Sequence, residues 1–204
     1  MAGKTKLALS DYELQLVRNS EWILTKQQVV AKATELLARA AENMKSPWDR
    51  YQYDKLLGLQ APNPKISKGE NYRLLPWVLL DYPRYFDKEN VFAVRSFFWW
   101  GHFFSITLQL SGTHKLFFQE KLLQRLQENP GNDYFICISE DPWQHDFEES
   151  NYALVSSLPG AALAPYTHGK SFIKLARKFP LEAWETIPGL LETAFDELLL
   201  LLKP

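Results

Sequence analysis

The sequence predicts an α+β fold in which an antiparallel sheet of about five strands packs against N-terminal and C-terminal helices. Helix start signals lie near both ends of the chain, and 12 of its 29 aromatic residues fall between positions 71 and 104. Aromatic side chains suit the half-buried surface of a pleated sheet, so the sheet is expected in the middle of the chain. Nothing in a chain of 204 residues demands a second core, so a single domain over 1–204 is expected.

The helical N-terminal part is predicted over about 10–57. Ser10 and Glu13 form a capping-box pattern that starts a first helix. Apolar residues then recur at helical spacing and predict a second helix over about 26–44. Prolines and glycines interrupt the pattern after that, so only a short helix near 49–57 is expected before a linker loop.

The sheet-containing part is predicted over about 70–180, and a C-terminal helix over about 181–203. A helix that ends at an Asn-Pro-Gly stop signal is expected among the strands, at 116–127. The sequence leaves open whether a short sixth strand lies near 153–157. The five predicted strands are 73–80, 91–99, 102–111, 134–139 and 171–179.

Gly101 is expected to mark a tight turn in the aromatic hairpin, with Trp99 opposite His102. Alternation along the two strands then sorts the side chains into two faces. A glycine bulge would instead shift the register and reverse half of this assignment. The predicted core side holds Ala93, Arg95, Phe97, Trp99, His102, Phe104, Ile106 and Leu108, and the other side holds Phe92, Val94, Ser96, Phe98, Phe103, Ser105, Thr107 and Gln109.

Charge and cysteine content exclude several classes of protein. The formal net charge is -1 and no segment gathers five or six like charges, which argues against a nucleic-acid partner. Cys137 is the only cysteine, so neither an internal disulfide nor a thiolate cluster can form. The longest apolar runs fall far short of the roughly 20 residues that a membrane helix needs. We therefore predict a soluble, cytoplasmic protein with no membrane partner.

Two short motifs are weighed and set aside. The sequence HGKS at 168–171 matches the end of a phosphate loop, but Ala164 stands where the first glycine belongs, and Ser171 is expected to begin a strand rather than a helix. The acidic stretch 140–149 contains possible metal ligands, but its spacing matches no familiar metal loop, so a solvated acidic loop is predicted. We therefore expect no cofactor and no metal.

The most suggestive group of side chains lies in the aromatic segment. Rings supply stacking area and arginine supplies a bidentate fork, so this group suits a planar or anionic ligand. The structural alternative is that an arginine simply pairs with Asp81 beneath a loop. The candidate ligand-binding residues are Asp81, Tyr82, Arg84, Arg95, Trp99, Trp100 and His102.

The C-terminal helix carries more apolar surface than one face of a surface helix needs. Two explanations stay open: the helix makes a homodimer contact, or it packs centrally in the core. The homodimer is the preferred prediction.

Two aromatic-rich stretches carry a resemblance to known sequences. They are KISKGENYRLLPWVLLDYPR at 65–84 and FAVRSFFWWGHFFSITLQLSG at 92–112. This region, 65–112, resembles a family of uncharacterised bacterial hypothetical proteins with no established function. The resemblance implies a bacterial cytoplasmic origin and brings no catalytic residues.

The leading functional hypothesis is a ligand-binding or protein-interaction domain, because aromatic residues abound while no nucleophile, metal set or phosphate loop is recognisable. The enzyme alternative uses Asp81 or His102 as acid or base, with Arg84 or Arg95 holding a small anionic substrate. A third alternative is a structural subunit of a larger assembly.

Overall fold

A computed structural model of the protein describes residues 7–129 and 133–203 and shows an α+β fold. The helices are α1 Asp11–Arg18, α2 Ser20–Tyr51, α3 Tyr53–Leu57, α4 Gly112–Glu128, α5 Ala164–Thr167 and α6 Ile187–Leu202. The strands are β1 Lys65–Tyr72, β2 Leu75–Phe86, β3 Val91–Trp99, β4 Phe103–Ser111, β5 Phe135–Cys137, β6 Tyr152–Leu154 and β7 Phe172–Phe179. Short 3-10 turns occupy Val155–Ser157, Gly160–Leu163 and Leu181–Ala183.

All seven strands join one antiparallel sheet in the order β1-β2-β3-β4-β7-β5-β6. The predicted count of about five strands is therefore too low. Strand β6 corresponds to the short strand that the sequence left open, whereas β1 lies where a linker loop was expected. Strand β1 is polar and pairs only with β2, at the edge of the sheet. Backbone hydrogen bonds hold such an edge strand in place without an alternating apolar side-chain pattern. The sequence therefore lacks the pattern from which a strand is predicted.

Helices α2, α4 and α6 cover one face of the sheet and form the main core with it. The capping box at Ser10 is present as predicted, with both reciprocal hydrogen bonds. Helix α2 is longer than predicted and continues through Pro47, although proline removes a helical hydrogen bond. The next residue, Trp48, is buried against the rings of Tyr53 and Phe92. We infer that this packing outweighs the local cost of the proline.

The aromatic hairpin turns over three residues rather than two. Trp99 pairs with Phe103, and Gly101 adopts a positive φ of 74° between them. This is the register shift that a glycine bulge produces, so half of the predicted face assignment is reversed. The helix-covered face holds Phe92, Val94, Ser96 and Phe98 from β3 with Phe104, Ile106, Leu108 and Leu110 from β4. Arg95, Phe97 and Trp99 lie on the opposite face.

Helix α6 packs centrally, which accounts for its apolar surface within the chain. Its side chains at Leu191, Phe195, Leu198 and Leu202 are fully buried against α2, α4 and the sheet. Leu190 and Leu200 are its only large apolar residues in the exposed class. The apolar surface of this helix, which suggested a homodimer, is thus buried in the core of the chain itself. Central packing was the alternative explanation.

Two glycines with positive φ offer a test of the fold. An added Cβ at Gly101 would meet no atom within 4 Å, whereas at Gly112 it would lie 2.6 Å from the Glu89 carbonyl oxygen and closer still to the Asn90 side chain. Gly101→Ala is expected to lower the free energy of unfolding by about 1 kcal/mol, because alanine disfavours the left-handed conformation. Gly112→Ala adds a steric clash of about 1–3 kcal/mol. Urea unfolding of both variants measures the difference, and equal losses would contradict the β4–α4 geometry.

Candidate functional site

The sheet face away from the helices is covered by a loop. This loop, residues 138–151, joins β5 to β6 and is called the cover loop below. Asp146 and Asn151 within it are buried, and Phe147 packs on Phe103 and Phe135 of the sheet. The face beneath it mixes apolar and charged side chains, so polar groups from the loop and the sheet meet away from water.

A cavity of about 290 Å³ opens between the cover loop and the sheet. Its volume lies near the lower end of the range of small-molecule sites, roughly 300–1,000 Å³. Aromatic rings form most of its wall, and one guanidinium contributes to it. The lining residues are Asn71, Tyr72, Trp77, Leu79, Arg95, Phe97, Trp143 and His145.

Arg95 is the charged residue of the cavity wall. It lies opposite Asp81 in the β2–β3 register, and its Nε donates to Asp81 Oδ1 at 2.7 Å. Both residues are less than a tenth exposed. The guanidinium carbon lies 5.4 Å from the ring centroid of Trp143 and 5.7 Å from that of Phe86. Within the described part of the chain, the buried Nη1 has no hydrogen-bond partner. Arg95 therefore retains an unused donor.

The end of β1 holds the cover loop in place. The Tyr72 hydroxyl accepts hydrogen bonds from the backbone amides of His145, at 2.7 Å, and Asp146, at 3.2 Å. Arg73 forms salt bridges with Asp146, at 2.9 Å, and with Glu148. These contacts place the loop's aromatic and imidazole groups over the sheet.

His145 lies with its ring stacked on Phe97, at 4.7 Å between centroids. Burial lowers its pKa well below the usual value, and the positive charges of Arg95 and Lys174 lower it further. The imidazole is therefore neutral at pH 7. Two positively charged side chains, Arg95 and Lys174, therefore lie close enough to His145 to affect its pKa.

Lys174 is a buried cation beneath the cover loop. It is only 1% exposed, donates to the main-chain oxygen of Gln144 and lies 5.3 Å from the ring centroid of Tyr152. Burial lowers its pKa to about 8, and Arg95 contributes to the lowering. Lys174 is therefore mostly protonated at pH 7 and is a second positive charge near the cavity, although it is not among the lining residues.

The structure separates the seven candidate residues that the sequence suggested. Asp81 and Arg95 form the ion pair that the structural alternative anticipated, and of these two residues Arg95 lines the cavity whereas Asp81 does not. Tyr82 lies on the helix-covered face, against Trp48 and Phe195.

The other four candidates lie elsewhere. Arg84 is exposed and lines a separate cleft with the loop 58–63. Trp99 is stacked on His102 at the end of the aromatic hairpin, with 3.6 Å between ring centroids. Trp100 meets Trp22 of α2 edge to face. None of these four is among the lining residues of the cavity.

Sequence reasoning missed the residues that the cover loop contributes. The stretch 140–149 was predicted to be solvated, and Glu140, Asp141, Glu148 and Glu149 are indeed exposed. Asp146 and the His145 ring are instead buried, and together with Trp143 they lie against the sheet. The aromatic and histidine residues interspersed among the acids were the available signal, because a fully solvated loop has no need of them.

The remaining motifs do not form a site of their own. Ser171 directly precedes strand β7, and the Lys170 amine is bonded to the main-chain oxygens of Ile138 and Ser139. Across residues 7–129 and 133–203, no group of three or more His, Cys, Asp or Glu side chains is arranged to hold a metal ion. Within the same ranges, no helix has the length and apolar character required to span a bilayer.

Comparisons with protein families, curated proteins and solved structures found no match. The resemblance over 65–112 therefore stays a prediction, and the functional argument depends on the cavity itself.

Lys174 predicts an unusual pH dependence of stability. Its pKa is about 8 in the folded chain and near 10.5 when unfolded, so the unfolded state binds more protons between these values. Stability is therefore expected to rise with pH above 8, by up to about 2 kcal/mol at pH 10. Tyrosines oppose the rise above about pH 10, because burial raises the pKa values of Tyr53, Tyr82 and Tyr85 in the folded state.

Urea unfolding between pH 7 and pH 10 measures this effect. Lys174→Met removes the buried cation and should give a flat profile over pH 8–10. Lys178→Met changes an exposed lysine of the same strand and face and should keep the rise. A rise that persists in Lys174→Met would show that another group causes it.

Proposed function

We propose that the protein binds a small, flat, anionic ligand in the cavity under the cover loop, an aromatic carboxylate being the simplest example. The observation that carries the proposal is the pairing of aromatic walls with two buried cationic side chains. Tyr72, Trp77 and Phe97 supply ring surface, while Arg95 in the wall and Lys174 beneath the cover loop supply positive charge. A planar anion matches both properties.

The unused donor of Arg95 supports an acceptor-bearing ligand. A buried guanidinium N–H without a partner costs free energy, and a ligand oxygen that reached Nη1 after a shift of the cover loop would offset that cost. The Asp81 carboxylate does not compete for this donor, because it is bonded to Nε. It also fixes the orientation of the guanidinium, so little entropy is lost when a ligand binds.

The arrangement favours binding over acid–base catalysis. A general base works best when its pKa lies near the operating pH, and the pKa of His145 is far below neutrality. Asp81 is occupied by Arg95, and His102 is stacked on Trp99 at the hairpin end. The enzyme alternative built on Asp81 or His102 therefore has no free acid or base at the cavity.

Benzoate and benzyl alcohol provide the first test, because they share a ring and differ in charge. We expect benzoate to bind about tenfold more tightly, which corresponds to one hydrogen bond to a charged group. Ligand-observed NMR titration at pH 7 measures both affinities. Equal binding of the two probes would remove the role assigned to the positive potential.

Two variants locate the binding. Trp143→Leu removes one wall of the cavity and is expected to weaken benzoate binding about fivefold. Trp22→Leu is its matched control, because Trp22 is similarly exposed, 47% against 52%, and lies on α2. Arg95→Lys keeps a positive charge beside Asp81 but loses the fork and should weaken binding about tenfold. If Trp22→Leu is as damaging as Trp143→Leu, the benzoate site is not this cavity.

The affinity for benzoate should also fall as the pH rises from 7 to 9.5. Deprotonation of Lys174, with its pKa of about 8, weakens the positive potential, and a loss of about threefold is expected. The same titration on Lys174→Met should show no such dependence. An affinity that increases with pH in the wild-type protein would contradict the assigned electrostatics.

A further inference from the structure

Strand β1 forms one edge of the sheet, with its outer side turned away from β2. Among residues 7–129 and 133–203, β1 pairs with β2 alone, and no backbone hydrogen bond joins residues 65–69 to any other segment. In a strand with a single neighbour, alternate residues direct their N–H and C=O groups away from that neighbour. Such a row of donors and acceptors is complementary to another extended backbone.

Local features limit the part of β1 that another strand could pair with. The register with β2 is regular over residues 65–69 and shifts between Gly69 and Tyr72. Pro64 directly precedes β1 and has no N–H to donate. Proline and an irregular register both interrupt strand pairing, so an added strand would pair over residues 65–69.

A groove of about 490 Å³ lies beside this edge, between β1 and α2. Its lining residues are Lys26, Gln27 and Val30 of α2 and Lys68, Gly69 and Glu70 of β1. When a peptide adds to the edge of a sheet, its backbone supplies affinity and its alternate side chains enter neighbouring pockets. The groove is therefore in the position to receive every second side chain of an added strand.

The unpaired charges along this edge are positive. The carboxylate of Glu70 forms a salt bridge with Lys26 of α2. Lys65 and Lys68 are exposed, and neither forms a salt bridge within the part of the chain that the structure describes. Lys65 lies opposite Asp81 in the register, but that carboxylate already belongs to the buried ion pair. An incoming strand thus meets two lysines whose charges are not neutralised.

We propose that the edge of β1 binds an extended, acidic segment of another protein, which adds to the sheet as a further strand. Its backbone pairs with the outer groups of residues 65–69, and its acidic side chains lie beside Lys65 and Lys68. Side chains on its α2 side enter the groove, where Val30 offers an apolar contact. A second copy of this chain fits less well, because lysines on an edge strand oppose edge-to-edge pairing.

The proposal is independent of the ligand-binding cavity. Residues 65–70 are not among the lining residues of that cavity. The two sites are tested with different probes, so failure of one proposal leaves the other standing.

Synthetic peptides test the backbone pairing. The probe is the acetylated and amidated heptapeptide EVEVEVE, and we expect it to bind with a dissociation constant below about 1 mM. N-methylation of its valines blocks one edge of the extended backbone, and N-methylation of its glutamates blocks the other. An added strand uses one edge only, so one methylated peptide should bind like the parent and the other at least about tenfold more weakly.

Fluorescence anisotropy of the labelled peptides measures these affinities. Absence of EVEVEVE binding would overturn the proposal. Two methylated peptides that both keep the parent affinity, or both lose it, would exclude pairing through one backbone edge and have the same consequence.

Charge variants locate the binding. Lys68→Glu replaces an attraction with a repulsion and should weaken EVEVEVE binding about fivefold. Lys88→Glu is the matched control, because Lys88 is also exposed but lies between β2 and β3, and it should leave the affinity unchanged. The basic peptide KVKVKVK should bind at least about tenfold more weakly than EVEVEVE. Equal effects of the two lysine variants, or equal binding of the two peptides, contradict the assigned site and its charge.

Sedimentation equilibrium without peptide tests the competing occupant. We expect the wild-type chain to show no dimer that excess EVEVEVE dissociates. A dimer of that kind would place a second copy of this chain on the edge of β1 and overturn the proposal.

Discussion

The register of the β3–β4 hairpin decides which side chains of the central strands face the helices and which face the cavity. The period of a strand is two residues, so a shift of one residue exchanges every side chain between the faces. Gly101 supplies the positive φ that a three-residue turn requires, and Trp99 thereby pairs with Phe103. Phe92, Val94 and Phe98 then enter the main core, and Arg95 faces the cover loop. The composition of the cavity follows from this one turn.

The same register places two charged residues, Arg95 and Asp81, opposite one another in the interior of the sheet. Two charges at the centre of a sheet lose their hydration, and a good mutual geometry offsets this only in part. The pair survives because the register places the residues opposite one another and rings flank the guanidinium. Apolar residues at both positions would give a comparable or more stable sheet. Stability alone therefore does not account for the charged pair, which is consistent with the ligand-binding role proposed for Arg95.

The sequence was sufficient for most of the fold because its elements have strong local signals. The capping box at Ser10 and the aromatic strands need no information from elsewhere in the chain. Strand β1 was not predicted, because it is held by backbone hydrogen bonds to its partner β2 and not by an apolar pattern in its own sequence. The passage of α2 through Pro47 depends on rings that are distant in sequence. Of the seven candidate residues, Arg95 alone lines the cavity. The wall also depends on His145 and Trp143, which reach it from a loop about 50 residues further along the chain, and local sequence patterns do not predict such a contact.

The way the cover loop is held explains how a cavity persists beneath it. Buried loops need partners for their backbone polar groups, and here side chains of the sheet provide them. Tyr72 accepts from the amides of His145 and Asp146, and Lys174 donates to the carbonyl of Gln144. None of these bonds belongs to the ladder of the sheet, so they can break without loss of a strand pairing. Under the proposed function, the loop is thus the element that would move for a ligand to enter, while the sheet keeps Arg95 in position.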